Sequence, residues 1–433
     1  MYARRTWFYF ERFVNEEHNW LPPDNYQEDP PLPVVEKTSP TNMGLGLVSN
    51  QAAYNMGYIT IGKLLERQQK SLHAINELEK YKGHFFNWYE TRLGEVLDPR
   101  YISTVDSGNL AASLIVIKEA IKEVMSTRGI NKNFMTGLKD SLLTIREIFE
   151  ELNSKNLLPE NSLNQVFHFT TLMLEKLDTE EKLNHHISLD LLRVLKENAV
   201  GLSAVNLLST KDSMDDRKIE NLLFWIESPL KLIEEAIDEY KCLLLPDEID
   251  VHAYSPHELG ILLKNNNNDC FQLLENWQNQ ANHIISLSEK IINDMDFSFL
   301  YLKKRGLFSI GYNLDTAQLD KGAYDLLASE ARIASYIAIS KGDVPVEHWF
   351  RLSRRLTKIN REEILLSWGG SMFEYLMPLL FMRSFQDTIL SHTYKNVINW
   401  QKVYGNKRDL PWGFSESAYY FLNIAHLECL GLD

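Results

Sequence analysis

Apolar residues recur at three- and four-residue spacing along most of this 433-residue chain, the periodicity of amphipathic helices. The pattern is clearest over residues 110–124, 134–152, 163–177, 219–242 and 270–292, with Glu and Lys filling the remaining faces. Residues 3–14 place Trp7, Phe10, Phe13 and Val14 on one side, which predicts a helix at once, with no leader before it. Period-two alternation is rare and brief, so strands cannot carry the fold. About a dozen helices with short connections predict an all-α protein, either a helical array or an α/α barrel. No fixed-period repeat marks a solenoid.

Two regions break the helical pattern. Six of the 14 prolines fall between Pro22 and Pro40, so this stretch must be a long, stiff loop. The second region, residues 83–108, holds Gly83-His84-Phe85-Phe86-Asn87-Trp88-Tyr89 and Ser103-Thr104-Val105-Asp106-Ser107-Gly108. Rings interleaved with polar donors are the composition of a sugar-binding cleft. Residues 126–299 hold charged amphipathic helix without a reactive constellation, and read as scaffold. The run at 265–268, all asparagine, reads as a loop.

Composition narrows the classes. With 44% hydrophobic and 24% charged residues, the chain is an ordinary globular protein. A net charge of -14 argues against nucleic acid as a partner. Cys242, Cys270 and Cys429 lie far apart without ligand spacing, which points to a reduced compartment, with cytoplasmic location the simple expectation. No apolar run reaches the roughly 18 residues of a membrane span, and no signal peptide follows Met1. Residues after Tyr420 are few, and the chain reads as a piece of something longer.

Several chemistries are absent from the sequence. His185 and His186 are adjacent and point to different helix faces, and the other histidines are isolated, so no metal is expected. Asp215-Asp216-Arg217 reads as a helix start. No GxSxG elbow, P-loop or dinucleotide fingerprint occurs, and no cofactor is expected. Carboxylates in aromatic settings remain: Asp24, Asp106, Glu330, Glu374 and Glu416. Two of them sit in Ser-Glu-small segments, Ala328-Ser329-Glu330-Ala331-Arg332 and Phe414-Ser415-Glu416-Ser417-Ala418. Each segment reads equally as a helix start, with Ser329 or Ser415 as N-cap and the glutamate in the first turn. Together they could supply the two carboxylates of glycoside chemistry.

Longer strings carry a resemblance. Arg5-Thr6-Trp7, Leu21-Pro22-Pro23-Asp24-Asn25-Tyr26, Ser39-Pro40-Thr41-Asn42, Gly83 through Tyr89, Asp98 through Leu110, Tyr324 through Arg332, His348-Trp349-Phe350 and the settings of Glu374 and Glu416 resemble the glycoamylase-like domain of cyclic β-1,2-glucan synthases. The likeness covers residues 1–125 and 300–433, and implies one domain, 1–433, folded as an (α/α)6 barrel lacking its last helices. It implies retaining transglycosylation that cyclises linear β-1,2-glucan, with Glu330 as nucleophile and Glu416 as acid/base. Asp24, Asn25, Trp88, Tyr89, Asp106, Arg332, Trp368, Glu374, Tyr375 and Trp412 are the substrate-binding candidates, the aromatic ones being equally suited to a core position. The alternatives are a β-1,2-glucan hydrolase and an inactive glucan-binding remnant. The partners implied are the glucan and the glucosyltransferase and phosphorylase-like modules of a larger synthase, which would bring the chain to the inner membrane.

Overall fold

The computed structural model describes residues 2–27, 32–183, 186–206, 216–243, 251–264, 269–359 and 362–415. Glu416, Cys429, His185, Asp215 and the run 265–268 lie outside these ranges. Among the described residues the helices are α1 (Tyr2–Phe13), α2 (Pro40–Asn55), α3 (Ile61–Glu77), α4 (Thr104–Ser126), α5 (Phe134–Ser154), α6 (Glu160–Lys182), α7 (Leu189–Ser203), α8 (Asp216–Cys242), α9 (Pro256–Leu262), α10 (Asp269–Asp294), α11 (Arg332–Lys341), α12 (Glu347–Arg351), α13 (Met372–Leu376) and α14 (Ile389–Asn406). The strands are short: β1 (Lys37–Thr38), β2 (Lys80–Tyr81), β3 (His84–Phe85), β4 (Tyr89–Glu90), β5 (Tyr101–Ser103), β6 (Tyr301–Leu302), β7 (Leu307–Ser309), β8 (Gly311–Asn313), β9 (Gln318–Leu319), β10 (Ala323–Tyr324), β11 (Leu356–Ile359) and β12 (Glu362–Leu365). The architecture is predominantly helical. Among the described residues no helix is long and apolar enough to cross a membrane.

The chain folds as two compact units. The first takes Met1–Trp20, Gly46–His73 and Ile117–Ser288, and the second takes Leu21–Leu45, Ala74–Val116 and Glu289–Asp433. In the first, α5 packs on α6 and α8, and α7 packs on the same two helices. The core follows the sequence periodicity: Leu138, Leu142, Ile145 and Phe149 of α5 face Leu192, Leu195 and Ala199 of α7 and Trp225, Ile226 and Ile233 of α8 in one apolar cluster. Helix α1 adds Phe8, stacked on Trp225 at 5.0 Å between ring centroids. Beside it the buried Arg4 donates to Ser141 Oγ (2.9 Å) and Ser228 Oγ (3.1 Å).

The second unit is where the helical pattern gives way. Its strands form five small antiparallel sheets: β1 with β4, β2 with β3, β11 with β12, and two three-stranded sheets ordered β5-β8-β9 and β10-β7-β6. Strands of two to four residues are too short to show a period-two pattern, which is why sequence periodicity missed them. Within the proline-rich stretch two described segments pair, with Asp24 N donating to Val35 O and Val35 N to Asn25 O (3.1 Å each). It ends where Ser39 Oγ accepts from Asn42 N (3.2 Å) and Pro40 opens α2, a cap followed by a pre-set first residue.

One carboxylate in the first unit is fully enclosed. Glu239 Oε1 accepts from Gly62 N and its Oε2 from Asn131 Nδ2, both at 2.9 Å. Burial pushes its pKa up to about 7, against the opposing hydrogen bonds from Thr60, Asn131 and Gly62. Below pH 4.5 the carboxyl is protonated in both the folded and unfolded chain. Between 4.5 and about 7 only the unfolded chain releases its proton, so stability falls as pH rises through that window. Relative to Glu239→Gln, the wild type is expected to lose roughly 3 kcal/mol across it. Urea unfolding at stepped pH measures this, and parallel pH profiles for the two proteins would refute it.

Candidate functional site

All the sequence-predicted site residues that are described lie in the second unit. Asp24, Asn25, Asp106 and Glu330 stand at or beside the first turns of three helices, α2, α4 and α11. Helix α4 is capped by Ser103, whose Oγ accepts from Asp106 N (3.2 Å), so Asp106 stands in the first turn. The Oδ1 of Asp106 accepts from Thr41 Oγ1 (2.6 Å), and Asn109 Nδ2 donates to the same hydroxyl (3.0 Å). The next residue, Asn42, donates through Nδ2 to Asp24 Oδ1 (2.9 Å), and Asn25 Nδ2 reaches Asp24 Oδ2 (3.2 Å). Consecutive side chains at the start of α2 thus hold both aspartates. The Asn87 amide, oriented to satisfy both ends, donates to Asp106 Oδ2 (3.1 Å) and accepts from Trp88 Nε1 (2.9 Å). Trp88 is half-buried, with Lys37 Nζ 4.1 Å from its ring centroid.

Glycines allow the three helices to converge. A Cβ on Gly44 of α2 would lie 2.5 Å from Ser113 Oγ, and one on Gly108 of α4 would lie 2.4 Å from Ala334 Cβ of α11. From Gly108 and Ala334 the two helices run on side by side: Ala112, Ile115 and Val116 line one wall of an apolar groove, and Ile333, Ile337 and Lys341 the other. Both helices run from this contact towards the same groove, and Asp106 and Glu330 both precede it in the chain.

Ser329 and Glu330 do not sit as the sequence suggested. The N-cap of α11 is Ala331, and Ser329 Oγ accepts from Ala331 N (3.2 Å) ahead of the helix. Glu330 therefore occupies the entering turn, half-buried, with Ser329 Oγ 3.3 Å from its Oε2. Arg332 causes this shift. Its side chain is 1% exposed, and Nη1 donates back to Leu327 O (3.3 Å) and Ser329 O (3.1 Å), curling the turn beneath it. Nη2 donates to Tyr394 OH (2.8 Å) and Tyr375 O (3.5 Å). Burial lowers the Arg332 pKa, opposed by Tyr394 and by the charge of Glu330.

Glu374 is likewise enclosed. It completes a capping box with Ser371 on α13, and its carboxylate accepts from Trp368 N (3.0 Å), Gly369 N (2.7 Å) and Ser371 N (3.3 Å). Ser367 Oγ donates to it as well (3.2 Å), so four residues of loop are wrapped around one carboxylate, while Trp368 is 61% exposed. Tyr375 is buried, donating to Leu365 O (2.7 Å). Tyr89 is buried too, donating to Glu79 O (2.6 Å) and accepting from Phe86 N (2.7 Å). These two tyrosines take the core position, while Trp88, Trp368 and the 49% exposed Trp412 present rings. Lys402 Nζ stands 4.9 Å from the Trp412 ring centroid.

Glu416 lies outside the described residues, but the segment that leads to it is tied down. Met372 N, at the start of α13, donates to Phe414 O (2.8 Å). The buried Gln401 of α14 accepts from Gly413 N (3.2 Å) and Phe414 N (2.7 Å), and donates to Phe414 O (3.2 Å) and Gly370 O (3.4 Å). Helix α13 therefore joins the Arg332 turn to Phe414. Arg332 holds its Tyr375 carbonyl and Phe414 its Met372 amide, three residues or about 4.5 Å of helix apart. Gln401 carried no sequence signal; Thr41, Asn42, Asn87 and Asn109 lay within the quoted strings but had no role assigned. Among the described residues no group of three or more His, Cys, Asp or Glu could hold a metal ion.

A mainly helical protein that gathers carboxylates, amides and open indole rings at helix N-termini has the furnishings of a carbohydrate cleft. Over 422 residues, 96% of the chain, it is 35% identical to the cyclic β-(1,2)-glucan synthase NdvB of Rhizobium meliloti. The chain is related to that synthase and spans 14% of its length. Among solved structures, an endo-β-1,2-glucanase from Chitinophaga pinensis with sophorotriose and glucose is 9% identical, with a TM-score of 0.49 over 95% of this chain and 68% of that one. A glucoamylase-like protein of Bacteroides caccae is 11% identical, with a TM-score of 0.48 over 95% and 68%. No protein-family model matches the chain.

The Gln401 clamp has a local consequence. Gln401→Leu removes the acceptor of two backbone N–H groups and the donor to two carbonyls, while keeping the side-chain volume. Amide hydrogen exchange over 412–415 is expected to rise about tenfold or more, the equivalent of one or two net hydrogen bonds. Unchanged exchange there, measured by mass spectrometry, would show that the clamp does not hold this segment.

Proposed function

We propose that this chain is a carbohydrate-active enzyme of cyclic β-1,2-glucan synthesis, which cleaves a linear β-1,2-glucan and closes it into a ring by retaining glycosyl transfer. The reading takes residues 1–433 as one working domain, an (α/α)6 barrel, and takes the glucosyltransferase and phosphorylase-like modules of a larger synthase as its partners. Support comes from the relationship to NdvB over 96% of the chain. The single structural observation behind it is the α13 bridge, which ties the Glu330 turn and the Phe414 segment to one short helix.

In this mechanism Glu330 is the nucleophile. Its carboxylate attacks the anomeric carbon, the glycosidic C–O bond breaks, and the departing oxygen takes a proton from Glu416. The 2-hydroxyl at the far end of the same chain then gives its proton to Glu416. Its oxygen displaces Glu330 from the anomeric carbon, and the ring closes. Two carboxylates serving this way stand ~5–5.5 Å apart. The entering turn of α11 suits the nucleophile, because a helix N-terminus favours negative charge. Asp24, Asn25, Asp106, Trp88, Trp368 and Trp412 would contact the glucan. Tyr89, Arg332, Glu374 and Tyr375 would act by holding those groups in place.

Incubation with linear β-1,2-glucan tests the proposal. Rings are expected from the wild type, and Glu330→Gln and Glu416→Gln are each expected to lose at least ~10³-fold in rate. Rings formed by Glu330→Gln at the wild-type rate would overturn the nucleophile assignment. Shorter linear products alone would mean that water is the acceptor and the enzyme a hydrolase. Binding without products would identify a glucan-binding remnant.

A further inference from the structure

A second aromatic cleft opens in the same unit, on the hairpin side of β5. It is an open depression of about 460 Å³ lined by Tyr81, Lys82, Phe299, Tyr312, Gln318 and Leu319, within the size range of small-ligand sites. The Tyr81 and Tyr312 rings are parallel to within 4°, with centroids 5.7 Å apart. Phe299 stands edge-on to both, at 5.9 and 5.6 Å. Lys82 Nζ lies 4.8 Å from the Phe299 centroid and 5.8 Å from that of Tyr81. None of these three rings is fully buried, and Lys82 and Gln318 are exposed.

The rings are held from behind. His84 packs edge-on against Phe299 at 5.3 Å, and its Nδ1 lies 2.9 Å from Ser107 Oγ. Burial pushes its pKa down to about 4, so it stays uncharged behind Phe299. Ser107 follows Asp106 in the first turn of α4. Tyr312 pairs with Ile102 of β5, and β5 runs straight into α4. Ile102, the strand partner of Tyr312, is thus four residues of chain from Asp106, on the order of 10 Å.

We infer that this cleft binds a second stretch of the same glucan chain, remote from the bond being broken. The chemistry is selective: a cluster of part-exposed aromatic rings matches the apolar faces of a pyranose, and the ammonium, amide and phenol groups match its hydroxyl rim. A lone lysine does not make a phosphate site, and the polar rim does not suit a purely apolar partner. The inference rests on the β-1,2-glucan reading and extends it. Ring closure needs the far end of the substrate to return to the enzyme-bound end. A second point of attachment on the same polymer raises the effective concentration of that end.

Calorimetric titration of the full chain with linear β-1,2-glucans of about twenty units and of three units separates the two claims. In Tyr312→Ala, and in the exposed pair Lys82→Ser with Gln318→Ala, affinity for the long glucan is expected to fall about tenfold. Affinity for the trisaccharide should hold, and products should shift from rings towards linear chains. Equal long-glucan affinity in wild type and in folded variants would overturn the second site alone. Failure of the wild type to bind either glucan would overturn the functional reading, and the second site with it.

Discussion

A guanidinium that is 1% exposed must have its N–H groups met inside the protein, because an unpaired buried charge costs several kcal/mol. Arg332 meets this demand with carbonyls of its own entering turn, the carbonyl of Tyr375 and the hydroxyl of Tyr394. Three segments distant in the chain are thereby drawn to one point. The turn before α11 curls, Glu330 is displaced from the helix into the turn, and α13 is held beside it. The other enclosed groups act in the same way on a smaller scale: Glu374 shapes the loop that offers Trp368, and Gln401 fastens Phe414 to Gly370.

The site unit therefore divides its polar residues into two kinds. Asp106 and Glu330 are half-buried at helix N-termini, where aligned backbone dipoles favour negative charge, and Asp24 is half-buried against Asn42 in the first turn of α2. Arg332, Glu374 and Gln401 are buried and bonded to backbone, so their chemistry is consumed by shape. Close approach of α2, α4 and α11 depends on glycine: any side chain at Gly44 or Gly108 would meet Ser113 or Ala334 at under 3 Å. Small residues along α4 thus let α2 and α11 pack closely against it.

Much of this was legible in the sequence, for definite reasons. Helices α5, α6, α8 and α10 follow the apolar periodicity closely, since each buries one stripe against a neighbour. The loop before Pro40 follows from its prolines. Asp24, Trp88 and Asp106 stand out as candidates because polar and aromatic residues in loops and first turns have few structural uses. Tyr89, Tyr375, Glu374 and Arg332 looked the same in one dimension, yet they proved to be buried and bonded to backbone. Short strands such as β5 and β8 left no periodic trace, although their pairing positions the second aromatic cleft.

What the amino-acid sequence determined by itself is local: where helices run, where they begin at Ser39-Pro40 and Ser103-Thr104, and which strings are related to a cyclic β-1,2-glucan synthase. Periodicity, capping and proline geometry act over a few residues, so they survive in one dimension. Only the tertiary structure decided which polar side chains face an open cleft and which are used up in holding it. That choice is made by burial, because a charged or hydrogen-bonding group removed from water must find its partners in segments that the chain order does not place beside it.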